Sequence, residues 1–279
     1  MAELLKGAPV TAEIRNTLKE KLQESSKNVG LGLIRMGSKP DDISYEKSII
    51  KQGEEIGISV TTIEIPNDIS LKDTISLMDR LNTDSSLDGI LTFRPMSNPE
   101  VEKLIVKTLD PNKDVDGITS SSMAKQYSGL GEGFPPCTAE ACMRILSYYG
   151  IKLEGKKVVV IGRSQVIGKP VAMMMLEQNA TVTICHSKTE NLKQTVKHAD
   201  IVIAAIGKDR FINEEYLSEE QIVIDVGINF DEQGVLHGDV NFPSAKNRVK
   251  AITPVPGGVG TVTTSLLFVH TLEASMRRN

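Results

Sequence analysis

This sequence predicts an α/β protein of two domains, on three observations. The chain has 279 residues, more than a single domain usually holds. Short β-branched runs alternate with amphipathic stretches at helical spacing, the pattern of parallel strands joined by helices. The stretch from Val158 to Thr189 reads as a complete β-α-β unit of a doubly wound, Rossmann-type sheet.

Taken in order, apolar and charged residues recur at helical spacing from Thr11 to about Ser26, and a short strand follows at Gly30–Met36. A helix from about Asp42 to Gly57, a strand at Ser59–Ile65, a helix at Leu71–Leu81, a strand at Gly89–Phe93 and a helix at Pro99–Leu109 complete a first α/β domain. The segment Asp110–Pro136, rich in Gly, Ser and Pro and without a steady period, reads as one long loop of the functional or disordered kind. A helix from Thr138 to about Tyr149 leads into the second domain. After the β-α-β unit come a helix over Asn191–Lys197, strands at Ile201–Ile206 and Ile222–Val226, a surface loop at Gly234–Asp239 and a short strand at Ala251–Thr253. A glycine turn and a long apolar helix close the chain, and that helix is expected to pack back on the first domain.

In the β-α-β unit the run Val158–Ile161 feeds a turn from Gly162 to Gly168, and Pro170 stands where a first helical turn tolerates it. Such a turn directs backbone N–H groups and the positive end of a helix dipole at one point, which suits a phosphate. The dinucleotide fingerprint G-x-G-x-x-G is partly met: Gly162 is present, Ser164 replaces the second glycine, and Gly168 arrives one residue late. The second strand, Ala180–Ile184, ends in Cys185-His186-Ser187-Lys188-Thr189, where an NAD-selective site would place a carboxylate for the ribose hydroxyls. A hydroxyl and a cation there, with Arg163 in the turn, suit a 2′-phosphate and favour NADP over NAD. An ordinary polar loop is the plainer reading of His186 or Lys188 taken singly.

Bulk properties narrow the class. With 40% hydrophobic and 24% charged residues and a net charge of -4, the chain has an ordinary globular composition and no electrostatic reason to bind nucleic acid. Cys137, Cys142 and Cys185 lack metal-ligand spacing, and their odd number argues against a disulfide framework, so a reducing cytosol is expected. The first residues, MAELLKGAPVTAEIRNTL, hold no apolar core of signal length, and neither export nor membrane insertion is indicated. Met173-Met174-Met175 reads as adaptable core packing, His237 as a solvated loop residue and His270 as a helix-packing residue.

Eight segments together, YEKSIIKQGEEIGI, DGILTFRP, PNKDVDG, PPCTAEACMRIL, VVVIGRSQVIGKPVA, ATVTICHSKT, VIDVGIN and PVPGGVGTVT, resemble the methylenetetrahydrofolate dehydrogenase/cyclohydrolases, in that family's order and over nearly the whole chain. The resemblance implies a folate-binding α/β domain, residues 1–139 with 256–279, and an NADP-binding Rossmann domain, residues 140–255, in a cytoplasmic homodimer with no nucleic-acid or membrane partner. It implies oxidation of 5,10-methylenetetrahydrofolate to 5,10-methenyltetrahydrofolate, followed in most members by hydrolysis to 10-formyltetrahydrofolate. By the same resemblance Tyr45 lies against the folate ring, Asp116 binds the pterin, and Pro256, Gly257, Gly258 and Val259 form a substrate-side turn. Gly162, Arg163, Ser164, Val166, Gly168, His186, Ser187 and Ile228 fall at cofactor-binding positions, and no metal is implied. Without the resemblance, Tyr45 would read as a core or rim tyrosine, Asp116 beside Asp114 as a loop-capping acid, and the glycines of PGGVG as a tight turn.

Two catalytic positions depart from the family. The lysine it carries four residues after the tyrosine is Ile49 here, and the glutamine of its DGLLVQLP-like segment is Phe93. Hydride removal moves no proton, whereas hydrolysis needs a positioned acid or base. The sequence therefore predicts that oxidation is retained and that hydrolysis is weak, absent or carried by a substitute group. Lys47 and Lys51, two residues to either side of Ile49, face other sides of the helix. The sequence leaves open whether Arg94, beside Phe93, reaches the substrate; if it does, its fixed charge suits the glutamate tail of a folate. The rival readings are a shikimate dehydrogenase-like oxidoreductase and a folate- or NADP-binding protein without turnover.

Overall fold

In chain order the elements are β1 (Glu3–Leu4), α1 (Gly7–Ser25), β2 (Gly30–Met36), α2 (Pro40–Ile56), β3 (Ser59–Ile65), α3 (Leu71–Thr83), β4 (Gly89–Thr92), α4 (Pro99–Thr108), α5 (Ser120–Ser128) and α6 (Cys137–Tyr148). They continue with β5 (Lys157–Ile161), α7 (Gly168–Glu177), β6 (Thr181–Cys185), α8 (Leu192–Lys197), β7 (Ile201–Ala204), β8 (Ile222–Asp225), β9 (Asn229–Phe230), β10 (Leu236–His237), α9 (Phe242–Ala245), β11 (Ala251–Ile252) and α10 (Val259–Arg277). These come from a computed structural model describing residues 1–278. The chain divides into two units, one of Ile14–Cys137 with Thr264 onward, the other of Met1–Glu13 with Thr138–Thr263.

The first of these units is built on a parallel sheet of three strands in the order β3-β2-β4. All seven residues of β2 are buried, as in a strand covered on both faces. Its one charged member, Arg35, is paired inside: Nε lies 2.7 Å from a Glu46 carboxylate oxygen, Nη2 lies 2.9 Å from Glu64, and Nη1 donates to the Gly37 carbonyl. Glu46 comes from α2, which starts at Pro40, carries Asp41 and Asp42 in its first turn, and ends at Gly57 in the left-handed region, φ 98°. Its buried residues Glu46, Ile49, Gly53 and Ile56 recur at helical spacing and form the face turned to the sheet. On a second layer Met78, Leu81, Val101 and Ile105 of α3 and α4 pack with Ile34 and Ile90.

The other unit carries a sheet of six parallel strands in the order β1-β11-β8-β7-β5-β6. The order reverses beside β5: the chain passes to β6 on one side, then returns across β5 to β7 on the other. Val159, Ile161, Val202, Ala204 and Val223 form the core beneath it with Val196, Ile212 and Leu217.

Three expectations change. The division between units does not follow residues 1–139 and 256–279. Residues 1–13 and 256–263 group with the six-stranded unit, because β1 pairs with β11 (Glu3↔Ala251, Leu4↔Ile252) and the Gly7 N–H donates to the Gly257 carbonyl at 2.8 Å. From Thr264 onward, however, the last helix belongs to the three-stranded unit as expected. The segment 110–136 is not one loop: α5 lies within it, capped by Thr119, whose hydroxyl accepts the Ser122 N–H. The segment 234–239 contains β10, paired with β9 in an antiparallel hairpin.

Glu46→Ala removes the closer partner of a buried guanidinium and is expected to cost about 3 kcal/mol of stability, read by urea denaturation.

Candidate functional site

In the three-stranded unit the strand order reverses at β2, with β3 on one side and β4 on the other. A crevice forms where the loops beyond such strands part, and ligands of open parallel sheets bind there. The residues beyond β4 and in α2 supply its walls.

Tyr45 of α2 keeps 40% of its surface accessible, and its ring lies 5.6 Å from that of Phe93, tilted by 31°. Phe93, immediately after β4, is only 7% exposed, so it backs the tyrosine from below. Desolvation pushes the Tyr45 hydroxyl up to about 12, a hydrogen bond with Thr264 opposes the shift, and the charge of Asp116 adds to it. The hydroxyl thus keeps its proton at every ordinary pH. Asp116 is half-buried, and one carboxylate oxygen accepts the Cys137 N–H at 3.2 Å. Burial raises its pKa, hydrogen bonds from Cys137 oppose this, Asp114 adds to the rise and His270 opposes it.

The two acids of KDVDG divide the work. Asp114 is fully buried and saturated, accepting from Ile118 N at 2.9 Å, Thr119 N at 2.7 Å and Ser122 Oγ at 2.6 Å. It is the loop-capping acid, whereas Asp116 is only partly buried and accepts the Cys137 N–H. Arg94 does not reach outward as a tail contact: its Nε is 2.9 Å from Glu102, whose other oxygen accepts the Met96 N–H at 2.8 Å. Ile49 is fully buried, one turn after Tyr45 on α2, while Lys47 and Lys51 are exposed. No titratable side chain stands at the Ile49 or Phe93 position.

In the six-stranded unit the corresponding reversal lies beyond β5, where Gly162 opens the turn into α7. At Gly162, φ 132°, a Cβ would run into the Ala205 carbonyl oxygen, and one at Gly168 would strike the Gly162 carbonyl. Both glycines are therefore required by the tightness of the turn itself, despite the extra residue between them. Ser164 Oγ accepts from Ile167 N at 3.1 Å and Gly168 N at 3.4 Å, which caps the turn. Arg163, Ser164 and Val166 are exposed on it. Beyond β6, His186 Nδ1 accepts the Lys188 N–H at 3.1 Å and its backbone N–H donates to Thr189 Oγ1 at 2.8 Å, which leaves Ser187 exposed at the tip. Beyond β8, Ile228 stands exposed, an apolar side chain at the rim. These loops leave the carboxyl ends of β5, β6 and β8, around a turn able to cradle a pyrophosphate.

Pro256 and Gly257 are exposed and Val259 is buried at the start of α10. A Cβ at Gly258 would meet the Pro254 carbonyl, and one at Gly7 would meet the Gly258 carbonyl, so close backbone packing alone accounts for glycine here.

Two further acids went unread in the sequence. Asp225, at the end of β8, accepts the backbone N–H groups of Gly227, Asp239 and Val240 at 2.9–3.0 Å. Asp239, fully buried although its segment reads as surface, accepts from Ile206 N, Gly207 N, Lys208 N and Asn229 Nδ2. Together they fix the loops beyond β7 and β8. Burial pushes Asp225 up to about 7, against the pull of its three N–H donors and with the help of Asp239. An aspartate closing the apolar run of IVIDVG was the available signal. Among the described residues no group of side chains is arranged to hold a metal, and no helix is long and apolar enough to cross a membrane.

Gly162→Ala is expected to weaken dinucleotide binding at least about tenfold, since the turn must shift to admit a methyl group. Calorimetric titration with NADP measures it.

Comparison with known proteins gives two family-model matches: the catalytic domain of tetrahydrofolate dehydrogenase/cyclohydrolase over residues 5–116, and its NAD(P)-binding domain over residues 136–279. The chain is 47% identical to the bifunctional protein FolD of Clostridium botulinum over 282 residues, covering all of both chains. Among solved structures it resembles the bifunctional FolD methylenetetrahydrofolate dehydrogenase/cyclohydrolase of Campylobacter jejuni, with a TM-score of 0.95, 36% identity and full coverage of both chains. It also resembles the Trypanosoma brucei methylenetetrahydrofolate dehydrogenase-cyclohydrolase complexed with NADP and an inhibitor, with a TM-score of 0.91, 31% identity and coverage of 99% and 98%.

Proposed function

The chain belongs to the tetrahydrofolate dehydrogenase/cyclohydrolase family, and on that premise we propose that it oxidises 5,10-methylenetetrahydrofolate with NADP and releases the methenyl product without accelerating its hydrolysis. One observation carries the second half: the position one turn beyond Tyr45 is a fully buried isoleucine, and Tyr45 itself rests on a phenylalanine.

Oxidation asks little of the side chains. The methylene carbon loses a hydride, and the cation left behind is delocalised over N5 and N10, so no proton moves. NADP, when bound, supplies the hydride acceptor. The residues that would hold it are Gly162, Arg163, Ser164, Val166, Gly168, His186, Ser187 and Ile228, and the methyl-excluding turn at Gly162 and Gly168 fits such a group. Tyr45 offers a ring face to the folate and Asp116 a carboxylate to the N–H donors of its pterin; the family resemblance adds Pro256, Gly257, Gly258 and Val259 as substrate contacts. Their work is to hold the carbon in place.

Hydrolysis asks for more. Water must lose a proton as it attacks the methenyl carbon, and a ring nitrogen must gain one as it leaves, which a positioned acid or base accelerates about 10²–10⁴-fold. Ile49 and Phe93 can do neither, Lys47 and Lys51 are solvent-exposed, and Tyr45 holds its proton to about 12. A homodimer in the cytoplasm completes the reading; it is supported by the family resemblance, and light scattering tests the dimer. The family match leaves no ground for a shikimate dehydrogenase-like activity.

Two absorbance time courses test the proposal. NADPH is expected to appear from methylenetetrahydrofolate and NADP, while the methenyl chromophore decays at the buffer rate; accelerated decay would mean that another group carries the second step. The acid limb of kcat/KM reports Asp116. Burial raises its pKa, so activity is expected to fall, as pH is lowered, from a midpoint above the reference 3.8, and Asp116→Asn to remove that limb.

A further inference from the structure

Asp225 and Asp239 are both buried in the six-stranded unit, and among the described residues the hydrogen bonds to their carboxylates come from N–H groups alone. Burying an ionised acid is costly, and apolar side chains of the same volume often serve stability as well or better. Such acids are explained by what their hydrogen bonds position. Asp239 takes three of its bonds from one stretch: Oδ2 accepts Ile206 N at 2.6 Å and Gly207 N at 3.0 Å, and Oδ1 accepts Lys208 N at 2.8 Å. With Gly207 in the left-handed region, φ 64°, these successive N–H groups form a nest, a concavity of the kind that binds anions. The chain fills it with its own carboxylate. Oδ1 also accepts Asn229 Nδ2, at 3.0 Å, from the loop beyond β8.

Both sets of bonds end beside places assigned to the dinucleotide. Ala205 immediately precedes the nest, and a Cβ on Gly162 would run into its carbonyl oxygen, so Ala205 is the wall on which the first glycine of the phosphate turn rests. The Ala205 N–H donates to the carbonyl of Ile161, the residue before that glycine, at 2.8 Å. On the other loop the exposed Ile228 stands between Asn229 and Gly227, whose N–H Asp225 accepts at 3.0 Å. Asp225 also accepts the backbone N–H of Asp239 at 2.9 Å, which joins the two acids in one frame. We propose that Asp239, seated by Asp225, is a positioning residue for NADP: its carboxylate fills the nest beyond β7, sets Ala205 against the Gly162 turn and, through Asn229, sets Ile228. This rests on the reading of Gly162 and Ile228 as cofactor positions. Both acids are too deeply buried to touch the cofactor themselves.

Calorimetric titration with NADP tests this in the wild type, Asp239→Asn, Asn229→Ala and the Asp239→Asn/Asn229→Ala double variant. Val196→Ala is the control for plain destabilisation: it thins the core of the same unit beside the amino end of β8, where the Val196 carbonyl accepts Gln221 Nε2 at 2.6 Å. Asparagine turns one acceptor oxygen of residue 239 into a donor facing N–H groups, and Asp239→Asn is expected to raise the Kd for NADP about tenfold. Asn229→Ala is expected to raise it about threefold, and to add nothing once Asp239→Asn is present. The kcat at saturating NADP and the KM for methylenetetrahydrofolate are expected to stay within about twofold of the wild type. Val196→Ala is expected to lower Tm and leave the Kd unchanged. An unchanged Kd in Asp239→Asn, an equal rise in Val196→Ala, or a full additional factor in the double variant would overturn the proposal. Should Asp239→Asn fail to fold, Asn229→Ala decides alone: a raised Kd at normal Tm and kcat supports it, and any other result overturns it. A wild type that binds no NADP overturns the cofactor reading and this proposal with it, whereas binding that every variant shares overturns this proposal alone.

Discussion

In a parallel sheet no strand can return by a tight turn, so every connection must cross a face of the sheet, and in an open doubly wound sheet the order of strands reverses at one point. Both units of this chain reverse beside their first main strand, β2 in one and β5 in the other. The loops beyond those strands are pushed apart, and the proposed site residues stand on or beside them: Tyr45 on α2 and Phe93 just after β4 in one unit, the Gly162 turn and the loops at Ser187 and Ile228 in the other. The fold thereby sets where chemistry occurs before any side chain sets what it is.

Buried carboxylates then hold the loops in place, and the number of donors around each separates structural acids from available ones. Asp114 and Asp239 are fully buried and accept three and four hydrogen bonds, leaving little capacity for anything else. Asp116 is half-buried, with Cys137 as its hydrogen-bonding neighbour. An acid with unused acceptor capacity in a partly dry place is the one a ligand with N–H groups can satisfy.

Most strands were legible because their apolar runs are long enough to be unambiguous: Gly30–Met36 and Ser59–Ile65 run as their sequences predict. What escaped was short or polar. The two residues of β1 carry no period, and their partner β11 lies at the far end of the chain. Helix α5, SSSMAKQYS, is held by its cap and by Asp114 rather than by an apolar face, so its serines read as loop. Asp239 looks like surface because nothing in Gly234–Asp239 shows that four donors converge on it. In the site, Tyr45 and Asp116 were visible only through the resemblance, since neither spacing nor composition brings them together.

The pairing of β1 with β11 bears on how the chain is made. The Thr11 hydroxyl bonds the Thr261 carbonyl across 250 residues, so a segment made early is among the last to find its partner. Closing so long a loop adds little entropy cost beyond that of a shorter one, but the order of events is fixed: the edge of the six-stranded sheet stays open until nearly the whole chain has been synthesised. Translation that stops short of β11 leaves a sheet with a bare edge strand, a surface on which unfinished copies can pair.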